Sequence, residues 1–297
     1  MHTTLIVGFG AIGKIVYRYL AQENQSNINI YAGRQKNSGN SVPDVTQVLY
    51  GTLDEFIESF QIPKDKKIEI YWCCGPDYLE ESDNLQKFLH DTIDCPLNLI
   101  KKLENECSAN YSFIHFSTMA GFEGQIVKAN ETSFAKRADV LEPYSWAKRL
   151  LDCALENQIY SGAIINLRLS NLITSDYSTS ERKVIVRIAK KLKQGLDVEV
   201  QKNIELDFII EDQVKSALDL IKSKPVWSGS INICNGERFY LYDLINGVKV
   251  HLHNDGLKTG KIVPKENTEN TNAFFEPTIG IKQIDLKQLL ASLMALI

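Results

Sequence analysis

The pattern that most restricts the fold lies at the start of the chain. A short apolar run over residues 3–7 leads directly into Gly8, Phe9, Gly10, Ala11, Ile12 and Gly13, and an amphipathic helical pattern follows from Lys14 to Gln22. Strand, glycine-rich turn and helix in that order make a phosphate cradle. The glycines let the backbone turn tightly and approach a pyrophosphate, whose charge meets the free N–H groups and positive dipole end of the helix. This predicts a dinucleotide site at Gly8–Gly13, and it predicts that strands and helices alternate downstream.

They do so as far as residue 171. Strand patterns are read at residues 29–32, 46–50, 67–74, 111–116 and 163–168, and helical patterns at 53–60, 79–89, 93–106 and the stretch after Pro143. A turn is read at Pro63, Lys64 and Asp65. Such alternation requires a parallel, doubly wound α/β sheet, whose ligands sit at the carboxyl ends of the strands. The second strand ends at Gly33, Arg34, Gln35 and Lys36, where an NAD site usually carries an acidic residue for the ribose 2′-hydroxyl. A guanidinium there suits a 2′-phosphate, with Lys36 as a second charge, so the expected cofactor is NADP. Cys74, at the end of the fourth strand pattern, is placed with the cofactor-binding residues.

The chemistry is expected at Tyr144, Ser145, Trp146, Ala147 and Lys148, because four residues make about one helical turn and bring phenol and ammonium onto one face. A nearby ammonium favours the phenolate, which makes a tyrosine usable as a general acid or base. Ser117 and Thr118 end the strand upstream and supply candidate hydroxyls. Beyond residue 176 the pattern is less regular: a helix over 181–194 carries Lys183, Arg187, Lys190 and Lys191 opposite its apolar stripe, a strand and helix follow over 205–221, a strand over 229–234, and a helix over 285–296.

Composition excludes other classes. A net charge of −4 with pI about 5.8 gives no basic footprint for nucleic acid. No run approaches eighteen apolar residues, so no membrane partner is expected and the location is read as cytoplasmic. The six cysteines, at 73, 74, 95, 107, 153 and 234, show no C-x-x-C spacing and suit reduced thiols. His251 and His253 would share one face of a strand, but no acidic or thiol ligand stands at metal spacing, and no metal site is assigned.

Together these segments resemble the extended short-chain dehydrogenase/reductase family of nucleotide-sugar epimerases, dehydratases and reductases. The resemblance rests on residues 8–13, 116–118, 144–148, 166–171, 207–212 and 229–237. It implies a Rossmann-type sheet over 1–171, with 203–235 returning to it, and a smaller, interleaved C-terminal substrate lobe from 172–202 and 236–297. It implies Tyr144 as acid/base, Lys148 on the nicotinamide ribose and on Tyr144, and Thr118 or Ser117 on the reacting oxygen, although an ungapped count from Tyr144 falls on Met119. Met119, Asn171, Arg182, Lys183 and Arg187 are assigned to a nucleotide-sugar substrate, and a homodimer is left open.

Four positions depart from the family pattern: Val7 stands at its first glycine, Met119 and Ala120 replace the acidic pair of the dehydratases, and Leu206 replaces an arginine used on the substrate diphosphate. Dehydration is not expected, since it needs further acid/base groups. The primary expectation is reduction of a keto group on a 4-keto-6-deoxy nucleotide sugar; the alternatives are an epimerase with tightly held cofactor and a non-enzymatic NADP-binding redox sensor. If Arg34 reads the 2′-phosphate, Arg34→Ala weakens NADPH binding roughly ten- to a hundredfold and NADH binding far less. Fluorescence titration with both cofactors checks this, and equal affinities in the unaltered protein would refute it.

Overall fold

The structure is a computed structural model that describes residues 2–23, 25, 27–33, 47–63, 66–75, 84–106, 110–119, 143–177, 184–223, 228–266, 277–278 and 280–297. Arg34, Lys36, Lys64, Asp65, Arg182 and Lys183 therefore lie outside the described residues. In chain order the first elements are β1 (His2–Val7), α1 (Ala11–Gln22), β2 (Ile28–Tyr31), β3 (Gln47–Leu49), α2 (Leu53–Ser59) and β4 (Lys67–Trp72). Next come α3 (Leu85–Leu89), a π-helical turn (His90–Asp94), α4 (Cys95–Glu106), β5 (Tyr111–Thr118), α5 (Pro143–Asn157) and β6 (Ala163–Leu169). The remainder is β7 (Asn171–Ile173), α6 (Val184–Lys193), β8 (Val198–Gln201), β9 (Glu205–Leu206), β10 (Phe208–Ile210), α7 (Glu211–Ser223), β11 (Gly229–Ile233), β12 (Phe239–Tyr240), α8 (Leu241–Asn254), β13 (Ile262–Lys265) and α9 (Leu286–Met294).

A seven-stranded parallel sheet runs in the order β11-β6-β5-β4-β1-β2-β3. Leu5 of β1 pairs with Asn29 of β2 on one side and Ile70 of β4 on the other, and Trp72 of β4 pairs with His115 of β5. The strand order reverses between β1 and β4, which is where a doubly wound sheet opens a crevice for a dinucleotide. The strands are near-continuous apolar runs because helices cover both faces.

Clustering of contacts divides the chain into two units. The first takes the described residues within Met1–Gly121, Ala138–Arg168 and Asp219–Ile231, and its core packs Leu5, Val7, Trp72, Leu99, Phe113, Leu151 and Leu155. The second takes those within Leu169–Leu218 and Asn232–Ile297, and so includes residues 203–218, which the resemblance assigned to the sheet domain. Its core joins α6, α8 and α9 through Ile185, Leu192, Leu244, Val248, Leu289 and Leu293. Within it Asp207 accepts hydrogen bonds from Ser170 Oγ (2.8 Å), Asn235 N (2.9 Å) and Gly236 N (2.8 Å), which ties together three of the motifs read in the sequence. Burial pushes its carboxyl up to about 6, against these three donors.

Three local readings are corrected. Residues 85–106 form one continuous helical run, where two separate helices were expected. Pro96 has no N–H to give Thr92, and the chain passes that point with a π turn in which Cys95 N–H bonds to His90 O. Asn171 opens a new strand and does not close the preceding one. His251 and His253 lie in α8, where a two-residue step turns about 200° and sends the rings apart. Leu241, Leu244, Ile245, Val248 and Leu252, the buried stripe of α8, override the alternating look of the stretch.

Phe113 is fully buried and stacks on Trp72 with ring centroids 5.9 Å apart. Phe113→Ala removes that ring from the middle of the sheet and is expected to cost about 3–5 kcal/mol. Urea unfolding followed by tryptophan fluorescence measures it; a midpoint unchanged from the parent would show that the core does not centre here.

Candidate active site

The glycine turn lies between β1 and α1, in the strand–turn–helix order expected. Gly8 has φ +96°, and a Cβ there would stand 2.8 Å from the Cys74 backbone nitrogen and from Cys74 Sγ. At Gly13 a Cβ would be 2.0 Å from Gly8 O, so only glycine lets α1 start this close to β1. Gly10 differs: nothing lies within 4 Å of where its Cβ would be. It is the N-cap of α1, it gives no side-chain cap, and the first turn holds no acidic residue, so the N–H groups and positive end of α1 have no cap or counter-charge from these residues. That donor set fits a pyrophosphate.

The carboxyl end of β4 joins this cradle to the candidate catalytic helix. Cys73, Cys74 and Gly75 follow Trp72, with Cys74 against Gly8. At Gly75 (φ +149°) a Cβ would lie 2.8 Å from Lys148 Nζ. Burial pushes the Cys74 thiol up to about 12, against the pull of the Lys148 ammonium. Lys148 is only 4% exposed.

Proline at the first position of α5 suits its start, since its fixed φ is helical and its missing N–H is one that no helix bonds. Tyr144 is then half-buried in the first turn, with Lys148 one turn on. The same four-residue step continues to Asp152 and Glu156, which makes a polar stripe toward β5 and β6. Ser117 Oγ donates to Asp152 Oδ2 at 2.8 Å, and His115 Nδ1 stands 3.5 Å from Asp152 Oδ1. Arg168 of β6 pairs with Glu156 and places Nε 3.7 Å from Asp152 Oδ2. Ser230 Oγ donates to Glu156 at 2.7 Å. His115 is wholly enclosed, which lowers its pKa and keeps the ring neutral.

Within the first unit Gly8, Phe9, Gly10, Ala11, Ile12 and Gly13 follow β1 and Cys74 follows β4, while Ser117 and Thr118 end β5 and Tyr144 and Lys148 stand one turn apart on α5. Met119, just past β5, is buried, while Thr118 is partly exposed. In the second unit Asn171 Nδ2 donates to Asp207 O at 2.9 Å, and Arg187 is exposed on α6. Sequence reasoning missed Gly75, His115, Asp152, Glu156 and Arg168. The period of four from Tyr144 through Glu156 was the signal for the acidic pair; nothing in the order of residues pointed to Gly75.

The model of the NAD dependent epimerase/dehydratase family matches residues 4–234. The chain belongs to this family. It is an enzyme of the extended short-chain dehydrogenase/reductase type. No curated protein matches its sequence. Among solved structures, UDP-glucose 4-epimerase from the hyperthermophilic eubacterium Thermotoga maritima, with UDP-glucose, superposes with a TM-score of 0.77 at 18% identity over 99% of this chain and 97% of that one. UDP-N-acetylglucosamine 4-epimerase from Methanobrevibacter ruminantium M1, in complex with UDP-N-acetylmuramic acid, gives 0.78 at 16% over 99% and 96%. The Bordetella bronchiseptica enzyme WbmG, in complex with NAD and UDP, gives 0.75 at 15% over 99% and 93%. At these identities the likeness establishes the fold. Among the described residues of this family member, no helix is long and apolar enough to cross a membrane.

The contrast between Gly10 and Gly13 yields a test of the cradle. Gly10→Ala meets no protein atom, so thermal stability stays near that of the parent, while dinucleotide affinity falls by about tenfold or more because the methyl enters the phosphate space. Gly13→Ala clashes with the Gly8 carbonyl and lowers both. Thermal melts and cofactor titration read the two effects; unchanged affinity in Gly10→Ala would move the phosphates elsewhere.

Proposed function

We propose that this enzyme uses NADP to reduce a keto group on a nucleotide-linked sugar, with Tyr144 as proton donor. The observation that carries the reading is Lys148: an almost fully buried ammonium, one helical turn from Tyr144, reaching Gly75 beside the glycine turn. A buried charge there is costly, and its position serves a phenol and a ribose together. The open Gly10 cradle supports the dinucleotide, with Arg34 and Lys36 proposed for the 2′-phosphate and Cys74 packed against the turn.

When bound, the reduced nicotinamide supplies a hydride to the keto carbon. Tyr144 gives its phenolic proton to the substrate oxygen, and Lys148 stabilises the phenolate left behind. Thr118 donates a hydrogen bond to the same oxygen. Ser117 has its hydroxyl on Asp152, which favours Thr118 for that role and makes Ser117 a brace between β5 and α5. Asn171, Arg182, Lys183 and Arg187 are proposed for the nucleotide and its diphosphate, with Met119 lining the sugar site. The proposed setting is the cytoplasm, and a homodimer the proposed assembly.

A second reading, epimerisation with retained cofactor, is favoured by the likeness to two 4-epimerases of nucleotide sugars. Net consumption of NADPH separates the two. Stopped-flow NADPH oxidation with a panel of keto-sugar nucleotides is expected to show turnover in the unaltered protein. Tyr144→Phe removes only the hydroxyl, so cofactor binding survives while kcat falls by about 10²–10⁴. Lys148→Ala impairs both. Full activity in Tyr144→Phe would place proton transfer elsewhere, and no NADPH oxidation with any keto sugar would favour the epimerase.

A further inference from the structure

The π turn at His90–Asp94 does more than accommodate Pro96. In an α-helix, residues five apart point about 140° away from each other. Here Cys95 N–H bonds to His90 O, the five-residue step of a π-helix, and this stacks His90 and Cys95 on one face. That face meets Asp54 in the first turn of α2. His90 Nε2 lies 2.9 Å from Asp54 Oδ1, Cys95 Sγ lies 3.8 Å from the same oxygen, and the three donor atoms all fall within 4.8 Å of one another. Donors of one tetrahedral ion, each bonded at roughly 2.0–2.3 Å, stand about 3.3–3.8 Å apart, so small side-chain movements would close the set around a cation.

The other nitrogen of the ring gives an independent indication. His90 Nδ1 is 3.2 Å from Asp94 Oδ2. Hydrogen bonds to Asp54 and Asp94 raise the His90 pKa, and the Cys95 thiol donates to Asp54 Oδ1; with the Nδ1 N–H kept on Asp94, loss of the Nε2 and thiol protons to an incoming cation leaves three lone-pair donors facing one point. A histidine whose far nitrogen is held by a carboxylate is the usual arrangement of a metal ligand. The mixture of thiolate, imidazole and carboxylate selects a borderline cation of the zinc class over magnesium or calcium. None of the three residues belongs to the set assigned to cofactor or proton transfer, and no sequence motif announces them, because 54, 90 and 95 converge only through the π turn.

We propose that Asp54, His90 and Cys95 form a binding site for one divalent cation of the zinc class, with Asp94 orienting His90 and a water completing the shell. Binding forms three coordinate bonds and releases to solvent the Cys95 thiol proton and the proton that His90 Nε2 shares with Asp54. It clamps α2 to the helical run 85–106.

The test uses the full chain, chelator-washed and kept reduced, titrated with Co²⁺ while thiolate-to-cobalt charge-transfer absorption is recorded, then challenged with Zn²⁺. The expected result is one Co²⁺ per chain with a thiolate band that Zn²⁺ displaces. Cys95→Ser abolishes the band, and His90→Gln and Asp54→Asn weaken Co²⁺ binding by about tenfold or more. Asp94→Asn, which leaves all three ligands in place, weakens it about 10–100-fold. Should Cys95→Ser fail to fold, the half-exposed His90→Gln decides. No thiolate band in the parent, a band of equal strength in Cys95→Ser, or undiminished affinity in His90→Gln would each overturn the proposal.

Discussion

Everything at the active site hangs on how α5 is held against the sheet. Tyr144, Lys148, Asp152 and Glu156 recur every four residues, so one helical face carries a phenol, a cation and two anions into a nearly dry interface. Asp152 is 1% exposed and Arg168 opposite it 0%. Charges so buried persist only when each has a counter-charge and hydrogen-bond donors, and removing one strands the rest at a cost of several kcal/mol. Arg168 answers both acids, Ser117 and Ser230 donate to one each, and His115 stays neutral beside Asp152. The seam therefore fixes the height and rotation of α5 on β5 and β6. A one-residue slip would break every pair, and with it the position of Tyr144.

The second constraint is the backbone at the end of β4. Because the strand order reverses at β1 and β4, their carboxyl ends diverge into separate loops, and the β4 loop is the natural wall of the crevice. Here it consists of two cysteines and a glycine. Cys74 fills the space that Gly8 leaves by having no side chain, and Gly75 leaves space for the Lys148 ammonium. Close approaches link the glycine turn through residues 73–75 to Lys148, the lysine proposed for the ribose and for Tyr144. A side chain at Gly75 would push against Lys148, so a change in a loop that touches no reacting atom would still reach Tyr144.

The sheet was legible because buried parallel strands are written as plain apolar runs, and the glycine turn because its residues answer to one backbone geometry. The Tyr144 to Lys148 spacing was legible for the same reason, as a local property of one helix. What could not be read is whatever depends on pairing between distant segments. Asp207 looked like part of a motif, and its role emerges only when Ser170, Asn235 and Gly236 converge on it. Ser117 and Thr118 are equivalent on paper; Asp152, thirty-five residues on, distinguishes them. The helix containing His251 and His253 was lost because a two-residue repeat of histidines resembles strand alternation, while its buried stripe from Leu241 to Leu252 follows the helical period.

The residues proposed to move the proton do not by themselves choose between reduction and epimerisation. A tyrosine that protonates an alkoxide also removes that proton in reverse, and Lys148 serves either direction. Net reduction demands that oxidised cofactor leave after each turnover, whereas epimerisation returns the hydride to the carbon it came from and profits from cofactor that stays. The difference resides in the cofactor off-rate, and hence at the adenosine and pyrophosphate end of the site. Val7 in place of the family's first glycine and the Gly8 to Cys74 contact lie at the glycine turn, and Arg34 and Lys36 are the residues proposed for the 2′-phosphate. In a chain whose proton-transfer residues follow the family pattern, those substitutions are where selection for exchange over retention would act.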